Sequence, residues 1–132
     1  MYAFTFTKEW HDGRENHPEV RFALFNEDGT IRRGERQQPK KTSDDPLEYT
    51  YWLKYQADYY VQEKPVPGYR TVYVNTKKSG HEDVTDRCYN GGTIINIKIP
   101  QTGDRETPWL WLMLGCMALL LVPALNLLKK RQ

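Results

Sequence analysis

The sequence predicts an all-β domain of sandwich type, followed by one C-terminal transmembrane helix. Residues 1–98 alternate polar and apolar side chains, are rich in Tyr, Thr and Val, and contain turn residues at short spacing, which is typical of a β-sandwich. No apolar pattern of period 3.6 interrupts them. Residues 109–128 then form an apolar stretch without a charge, which is typical of a membrane span.

Size and charge limit the classes of function. The chain has 132 residues, which allows one small domain and not two. Residues 1–103 carry 15 basic and 15 acidic side chains, so the net charge of +2 comes from the residues that follow them. A domain without net positive charge does not attract the phosphates of DNA or RNA, and we expect no nucleic-acid partner.

The front domain is predicted to contain six strands, at Tyr2–Trp10, Glu19–Asn26, Leu47–Leu53, Tyr59–Glu63, Tyr69–Asn75 and Thr93–Ile99. Asn26–Gly29 is predicted as a turn, since glycine adopts a positive φ at a hairpin corner without strain. Residues 32–46 are polar, charged and proline-containing, which predicts a long loop with little regular structure. The basic residues in this loop are more simply explained by solvation than by a binding patch.

The apolar stretch has the length and the flanks of a membrane helix. As a helix that rises about 1.5 Å per residue, residues 109–128 span roughly 30 Å, the thickness of the hydrocarbon core of a bilayer. Trp109 and Trp111 lie where an interfacial aromatic belt is expected, and three basic side chains follow the stretch. These charges predict a cytoplasmic tail at 129–132 and an external location for residues 1–108. The alternative is a buried core helix, which the all-round hydrophobicity disfavours.

A short motif precedes the apolar stretch, formed by Ile99, Pro100, Gln101, Thr102 and Gly103, and residues 99–108 comprise this motif and a polar linker. The order of a Pro-x-Thr-Gly motif, an apolar span and a basic tail resembles the LPXTG-type sorting signal of Gram-positive surface proteins. This resemblance implies a protein anchored to the cell wall at the cell surface. It implies a sortase that cleaves between Thr102 and Gly103 and joins Thr102 to a peptidoglycan precursor or a neighbouring pilin subunit. Ile99 stands where leucine is commoner, which leaves the sortase class open.

The alternation of side chains places three polar residues on faces that are otherwise apolar. Lys8, Glu63 and Asn96 each alternate with apolar residues, on three different predicted strands. Lys8, for example, shares a face with Phe4 and Phe6. Burial of ionisable groups is costly unless they are paired, so each requires a reason. The alternative is a lysine that reaches the solvent, a glutamate at a strand end and an exposed asparagine.

Three parts of the front domain carry a second resemblance, namely Thr7–Trp10 with Pro18–Leu24, Tyr59–Glu63 with Pro67–Tyr69, and Thr93–Asn96. In this order they resemble the Cna B-type domain, a prealbumin-like or Ig-like β-sandwich of surface proteins and pilins. The resemblance covers about residues 4–98. It implies a structural stalk module whose last strand leads directly into the sorting signal.

This second resemblance implies an intramolecular isopeptide bond, in which Lys8 supplies the ε-amine, Asn96 the carboxamide carbon and Glu63 the proton shuttle. The chemistry requires burial, because an exposed lysine stays protonated, whereas desolvation lowers its pKa and favours the nucleophilic amine. A buried glutamate that holds a proton polarises the Asn96 carbonyl. The reaction releases ammonia, uses no cofactor and joins the first predicted strand to the last.

Other signals in the sequence are weaker. Cys88 is predicted to lie in the external domain and Cys116 in the span, so we expect no disulfide. His11, Asp12 and His17 share a polar turn, but loop histidines are usually solvated, and we expect no metal site. No arrangement for catalysis on other molecules stands out, so we expect no enzyme beyond the self-directed reaction.

Two further functions stay open. One is an adhesin module that binds a host matrix or carbohydrate ligand, which an exposed aromatic patch would favour. The other is a tail-anchored membrane protein in which the Thr-Gly motif has no role. The first predicted strand begins without a basic or apolar leader before it, so we expect this chain to be the C-terminal piece of a longer, exported precursor.

Overall fold

A computed structural model describes residues 1–100 of the chain. Within them the chain forms nine strands and a short 3-10 helix at Lys77–Ser79. The strands are β1 (Tyr2–His11), β2 (Phe22–Phe25), β3 (Ile31–Arg33), β4 (Lys40–Asp44), β5 (Leu47–Leu53), β6 (Tyr60–Glu63), β7 (Tyr69–Val74), β8 (Cys88–Tyr89) and β9 (Thr93–Lys98).

The nine strands form two sheets. The five-stranded sheet has the order β4-β5-β1-β9-β7, and the four-stranded sheet has the order β3-β2-β6-β8. β1 and β9 are parallel neighbours, whereas the other paired strands are antiparallel. The first and the last described strand therefore lie side by side in the interior of one sheet.

The apolar faces of the two sheets share one core, to which both sheets contribute buried side chains: Phe4, Phe6, Leu53 and Ile94 from the five-stranded sheet, and Phe22, Leu24, Val61 and Cys88 from the four-stranded sheet. The rings of Phe6 and Phe22 meet edge to face across the core, with centroids 4.9 Å apart. The prediction of an all-β fold with two packed sheets is thus confirmed.

The prediction of a long irregular loop at residues 32–46 is wrong. β3 pairs with β2, and β4 pairs with β5. Both are edge strands, and backbone pairing on one side is enough to form an edge strand even when its side chains are polar. The turn between β2 and β3 agrees with the prediction, and Gly29 has a φ of 92° there.

Two smaller differences concern the extent of strands. β2 covers only Phe22–Phe25 of the predicted Glu19–Asn26. β8 is not predicted at all, because a strand of two residues is too short to show a period. The other five predicted strands agree with the structure to within one residue at each end.

The predicted C-terminal elements lie mostly outside the described residues. Within residues 1–100 no helix is long and apolar enough to cross a membrane. The predicted span at 109–128 and tail at 129–132 come later in the chain, as do Gln101, Thr102 and Gly103 of the sorting motif. Ile99 and Pro100 are described, and both are exposed.

Candidate functional site

Three strands from both sheets bring Lys8, Glu63 and Asn96 to one place in the core. Lys8 lies on β1, Asn96 on the adjacent β9, and Glu63 on β6 of the opposite sheet. In the parallel register Lys8 is opposite Ile94, and Asn96 is opposite Trp10. Because side chains alternate along a strand, Lys8 and Asn96 face the same side of the sheet, two positions apart.

All three side chains are removed from solvent. The exposed fraction is 2% for Lys8, 6% for Glu63 and 0% for Asn96. The alternative of a solvent-reaching lysine and an exposed asparagine therefore does not apply. An amine, a carboxyl group and a carboxamide instead share an otherwise apolar core, where each needs polar partners.

Glu63 links the asparagine to a threonine. One carboxylate oxygen, Oε1, accepts hydrogen bonds from Asn96 Nδ2 at 2.7 Å and from Thr71 Oγ1 at 2.9 Å. Asn96 Nδ2 also lies 3.2 Å from Thr71 Oγ1. Sequence reasoning missed Thr71, which lies on β7 directly opposite Asn96 in the antiparallel pair. Only the register of β7 and β9 reveals it.

The Lys8 amine lies beside the second oxygen of the same carboxylate. Lys8 Nζ is 3.8 Å from Glu63 Oε2, donates a hydrogen bond to the Glu9 carbonyl at 2.9 Å, and lies 3.8 Å from the centre of the Trp10 ring. Burial lowers the pKa of Lys8 to about 8, although the carboxylates of Glu63, Asp12 and Glu9 oppose this shift. The amine is thus far easier to deprotonate than that of a lysine in water.

Two polar atoms of the site, Glu63 Oε2 and Asn96 Oδ1, have no hydrogen-bond partner among the described residues. Such buried atoms are rare in native cores and require a chemical explanation. Rotation of the Asn96 carboxamide by half a turn exchanges Oδ1 and Nδ2 within the same space. If Glu63 carries a proton, its O–H can then donate to Asn96 Oδ1 and polarise the carbonyl.

The two histidines at the polar turn after β1 each lie beside a carboxylate. His17 Nδ1 lies 2.9 Å from Asp12 Oδ2, whereas His11 Nε2 lies 3.0 Å from Glu9 Oε1. No group of three metal-ligating side chains occurs within residues 1–100. Cys88 is a buried free thiol, and burial raises its pKa to about 12, so that it stays protonated at neutral pH.

An open cleft of about 520 Å³ lies beside the N-terminal end of β1. Tyr2, Tyr59 and Tyr89 contribute to its walls, and His81 and Asp58 lie at the same cleft. The imidazole of His81 stacks on Tyr89 with ring centres 3.8 Å apart, and its Nε2 lies 3.3 Å from Asp58 Oδ2. His81 thus contacts both Tyr89 and Asp58. Among the described residues, none that lines the cleft has a buried side-chain nitrogen or oxygen without a hydrogen-bond partner.

Comparison of the chain with protein-family models, with curated proteins and with solved structures finds no match. Function is therefore inferred from the residues of this chain. Among the described residues, the Lys8, Glu63 and Asn96 side chains combine burial, mutual proximity and unsatisfied polar atoms. They are the strongest candidate for a functional site.

Proposed function

We propose that residues 1–98 are a Cna B-type, prealbumin/Ig-like stalk module that cross-links itself through Lys8 and Asn96. The supporting observation is the contact of an amine, a carboxyl group and a carboxamide within an apolar core. Apolar side chains of similar volume would stabilise such a core at least as well. A reaction between these three groups would explain why the core buries them despite the free-energy cost.

The proposed reaction balances without any further reactant. Neutral Lys8 Nζ attacks Asn96 Cγ, while protonated Glu63 donates to Asn96 Oδ1 and stabilises the developing negative charge. Glu63 then transfers the proton released by Nζ to Asn96 Nδ2. The Cγ–Nδ2 bond breaks, ammonia leaves, and an amide joins Nζ to Cγ. Fixed proximity of the groups on paired strands supplies much of the rate.

The strand arrangement suits a load-bearing role for this bond. β1 and β9 are parallel neighbours, so a force that pulls the N-terminus and the C-terminus apart shears one strand along the other. A bond between Lys8 and Asn96 carries that force from one strand to the other. Residues between the two positions are then shielded from it, as a stalk requires.

The sequence after this module supports attachment to the cell wall. In the proposal, a sortase cleaves between Thr102 and Gly103 of the sorting motif and joins Thr102 to a peptidoglycan precursor or to a neighbouring pilin subunit. The apolar stretch at 109–128 holds the precursor at the membrane until cleavage. Replacement of Thr102 by alanine tests this step in an expressing Gram-positive host. Loss of covalent wall linkage is expected, whereas unchanged attachment would favour a tail-anchored protein without wall linkage.

The self-cross-linking is tested by the intact mass of the full chain. Wild type should be lighter than its sequence by one ammonia, and the Glu63→Ala variant should have its full mass. Glu9→Ala is a matched control, because the Glu9 side chain is half-exposed and contacts Lys8 only through its backbone carbonyl. It should lose ammonia as wild type does. A wild-type chain at full mass would contradict the proposal.

A second candidate function is a ligand-binding or adhesin module. Trp52 and Tyr55 are 53% and 63% exposed, and exposed aromatic residues are enriched where proteins bind ligands. Trp52→Ala and Tyr55→Ala should then weaken adhesion to immobilised matrix proteins or polysaccharides. Adhesion that is absent in wild type, or that stays at the wild-type level in both variants, would exclude these two residues as a binding surface.

A further inference from the structure

One carboxylate holds the turn that follows β1 through several hydrogen bonds. Asp12 has a side chain that is only 1% exposed. Its Oδ2 accepts hydrogen bonds from Tyr69 Oη at 2.7 Å and from His17 Nδ1 at 2.9 Å, and its Oδ1 accepts one from Arg14 N at 3.0 Å. The carboxylate thereby joins the start of the turn to its middle and to β7.

The two rings that Asp12 holds both contact Trp10. The His17 imidazole stacks on the indole, with ring centres 4.5 Å apart and planes within 4° of each other. The Tyr69 ring meets the indole edge to face at 5.3 Å. The indole in turn lies over the Lys8 amine, with Nζ 3.8 Å from the ring centre. A continuous chain of contacts therefore runs from Asp12 to the reactive amine.

We propose that Asp12, His17 and Tyr69 form a latch that fixes the Trp10 indole over the Lys8 amine and keeps water out of the isopeptide site. The inference rests on the proposed function. The three residues are positioning residues, since among the described residues none of them forms a hydrogen bond or an ion pair with Glu63 or Asn96. Trp10 is only half-buried, so without the latch its ring is free to swing toward solvent and admit water.

The latch stays in place over a broad pH range. Burial alone would raise the pKa of Asp12, but the hydrogen bonds from Tyr69, Arg14 and His17 lower it to about 2. The carboxylate is therefore charged at any pH at which the protein is expected to work. Its charge by itself disfavours reaction, because it raises the pKa of Lys8. A role for Asp12 that helps the reaction must therefore come from its anchoring contacts.

The pH dependence of cross-linking separates positioning from simple support of the fold. The carboxylates whose charge acts on Lys8 are those of Glu63 on β6, Glu9 on β1 and Asp12 in the turn. Tyr69 and His17 contact Asp12, and Tyr73 on β7 accepts a hydrogen bond from Glu63 N. Water that enters a loosened site weakens the desolvation that lowers the pKa of Lys8. The rate of cross-linking then reaches its midpoint at a higher pH.

The test follows ammonia loss by intact mass as the full chain, made by chemical synthesis and kept unfolded in denaturant so that it starts unlinked, is diluted into buffers of pH 6–9. The variants are Tyr69→Phe, which keeps the ring and the Asp12 charge but removes the hydrogen bond, and His17→Gln. Tyr55→Phe and His11→Gln are the matched controls, because Tyr55 is exposed and His11 contacts the exposed side of Glu9. Rates are taken for the folded fraction, measured by circular dichroism.

We expect both latch variants to cross-link on the order of tenfold more slowly, because small misplacements of reacting groups slow a reaction. The pH at which the rate reaches its midpoint should be higher than in wild type. The controls should match wild type. The latch would be overturned if both variants had the rate and the pH midpoint of wild type. It would also be overturned if they reacted more slowly with an unchanged pH midpoint. A wild-type chain that never loses ammonia would instead overturn the proposed function itself, and the latch with it.

Discussion

At the scale of single residues, the pKa of Lys8 reflects two opposed effects on its amine. Burial favours the neutral form, while Glu63, Asp12 and Glu9 favour the charged form, and burial prevails, so that the pKa falls to about 8. At pH 7 roughly one amine in ten is then neutral, against fewer than about one in a thousand for a lysine with a pKa near 10.4. Because neutral amine is the nucleophile, this difference favours a faster reaction at neutral pH.

The pKa of Lys8 predicts how cross-linking depends on pH. Lys8 gives up its proton as the pH rises through about 8, so the rate should increase between pH 6 and 8 and level off above that. The measurement is the rate of ammonia loss, followed by mass spectrometry, as a chemically synthesised and still unlinked wild-type chain folds. A rate that is constant over this range, or that falls as the pH rises, would contradict deprotonation of Lys8 as the event that limits the reaction.

Thr71 is predicted to orient the two groups that it touches. Its hydroxyl donates to Glu63 Oε1 and lies within hydrogen-bond distance of Asn96 Nδ2. Thr71→Val keeps the shape but removes the hydroxyl, which should destabilise the unlinked chain by about 1–3 kcal/mol and slow cross-linking. Thr5→Val is the control for urea unfolding and for the rate, because the Thr5 hydroxyl forms a hydrogen bond only with Thr50 among the described residues. Equal behaviour of the two variants would exclude Thr71 from the site.

The sequence predicted the inward position of the three reactive side chains but not their surroundings. Lys8 shares the alternation of Phe4 and Phe6 on β1, so a period of two residues was enough to place it. Thr71 and Asp12 come next to the site only through the pairing of β7 with β9 and through the fold of the turn after β1. Such contacts depend on topology, which local alternation does not contain.

At the scale of elements, the register of β1 against β9 places Lys8 and Asn96 on the same face of adjacent strands, two positions apart. The turn before β9 fixes that register, since Thr7 N donates to the Gly92 carbonyl at 2.9 Å. Gly92 has no room for a side chain. An added Cβ would lie 2.8 Å from Cys88 Sγ, 2.9 Å from Asn75 Oδ1 and 3.0 Å from the Val74 carbonyl oxygen.

Gly92→Ala is therefore predicted to destabilise the fold by about 1–3 kcal/mol, the usual cost of overpacking. It should also slow cross-linking, because the start of β9 must shift. Gly34→Ala is the matched control, since its added Cβ would meet only Ile31 at an ordinary 3.8 Å. Urea unfolding of both variants is the measurement, and a Gly92→Ala chain as stable as the control would show that the turn does not fix the register.

The two edge strands β3 and β4 are the elements that were wrongly predicted from the sequence as a loop. β5 contains the buried residues Thr50, Tyr51 and Leu53 and was predicted to the residue. β3 and β4 lie at sheet edges and carry mostly polar side chains. Their backbone hydrogen bonds form with a neighbouring strand whatever their side chains are. A polar sequence with a proline therefore reads as a loop, although the chain there is extended.

At the scale of the whole molecule, the proposed bond would close almost the entire domain into one loop. Lys8→Met keeps a long side chain in the core but removes the nucleophile. Wild type should unfold with a free energy about 4–5 kcal/mol higher than this variant, because a cross-link across roughly 90 residues restricts the unfolded chain. Denaturant unfolding tests the difference, with the exposed Lys40→Met as control. Wild type no more stable than Lys8→Met would argue against a cross-link.

The central claim, a covalent bond between β1 and β9, is tested most directly by peptide mapping. Trypsin cleaves after an unmodified Lys8, but a lysine acylated on Nζ is not cleaved. The proposed bond predicts one branched peptide that joins residues 1–14 to residues 88–98 and weighs one ammonia less than the two together. Three separate linear peptides, 1–8, 9–14 and 88–98 with an intact Asn96, would contradict the bond and the stalk function built on it.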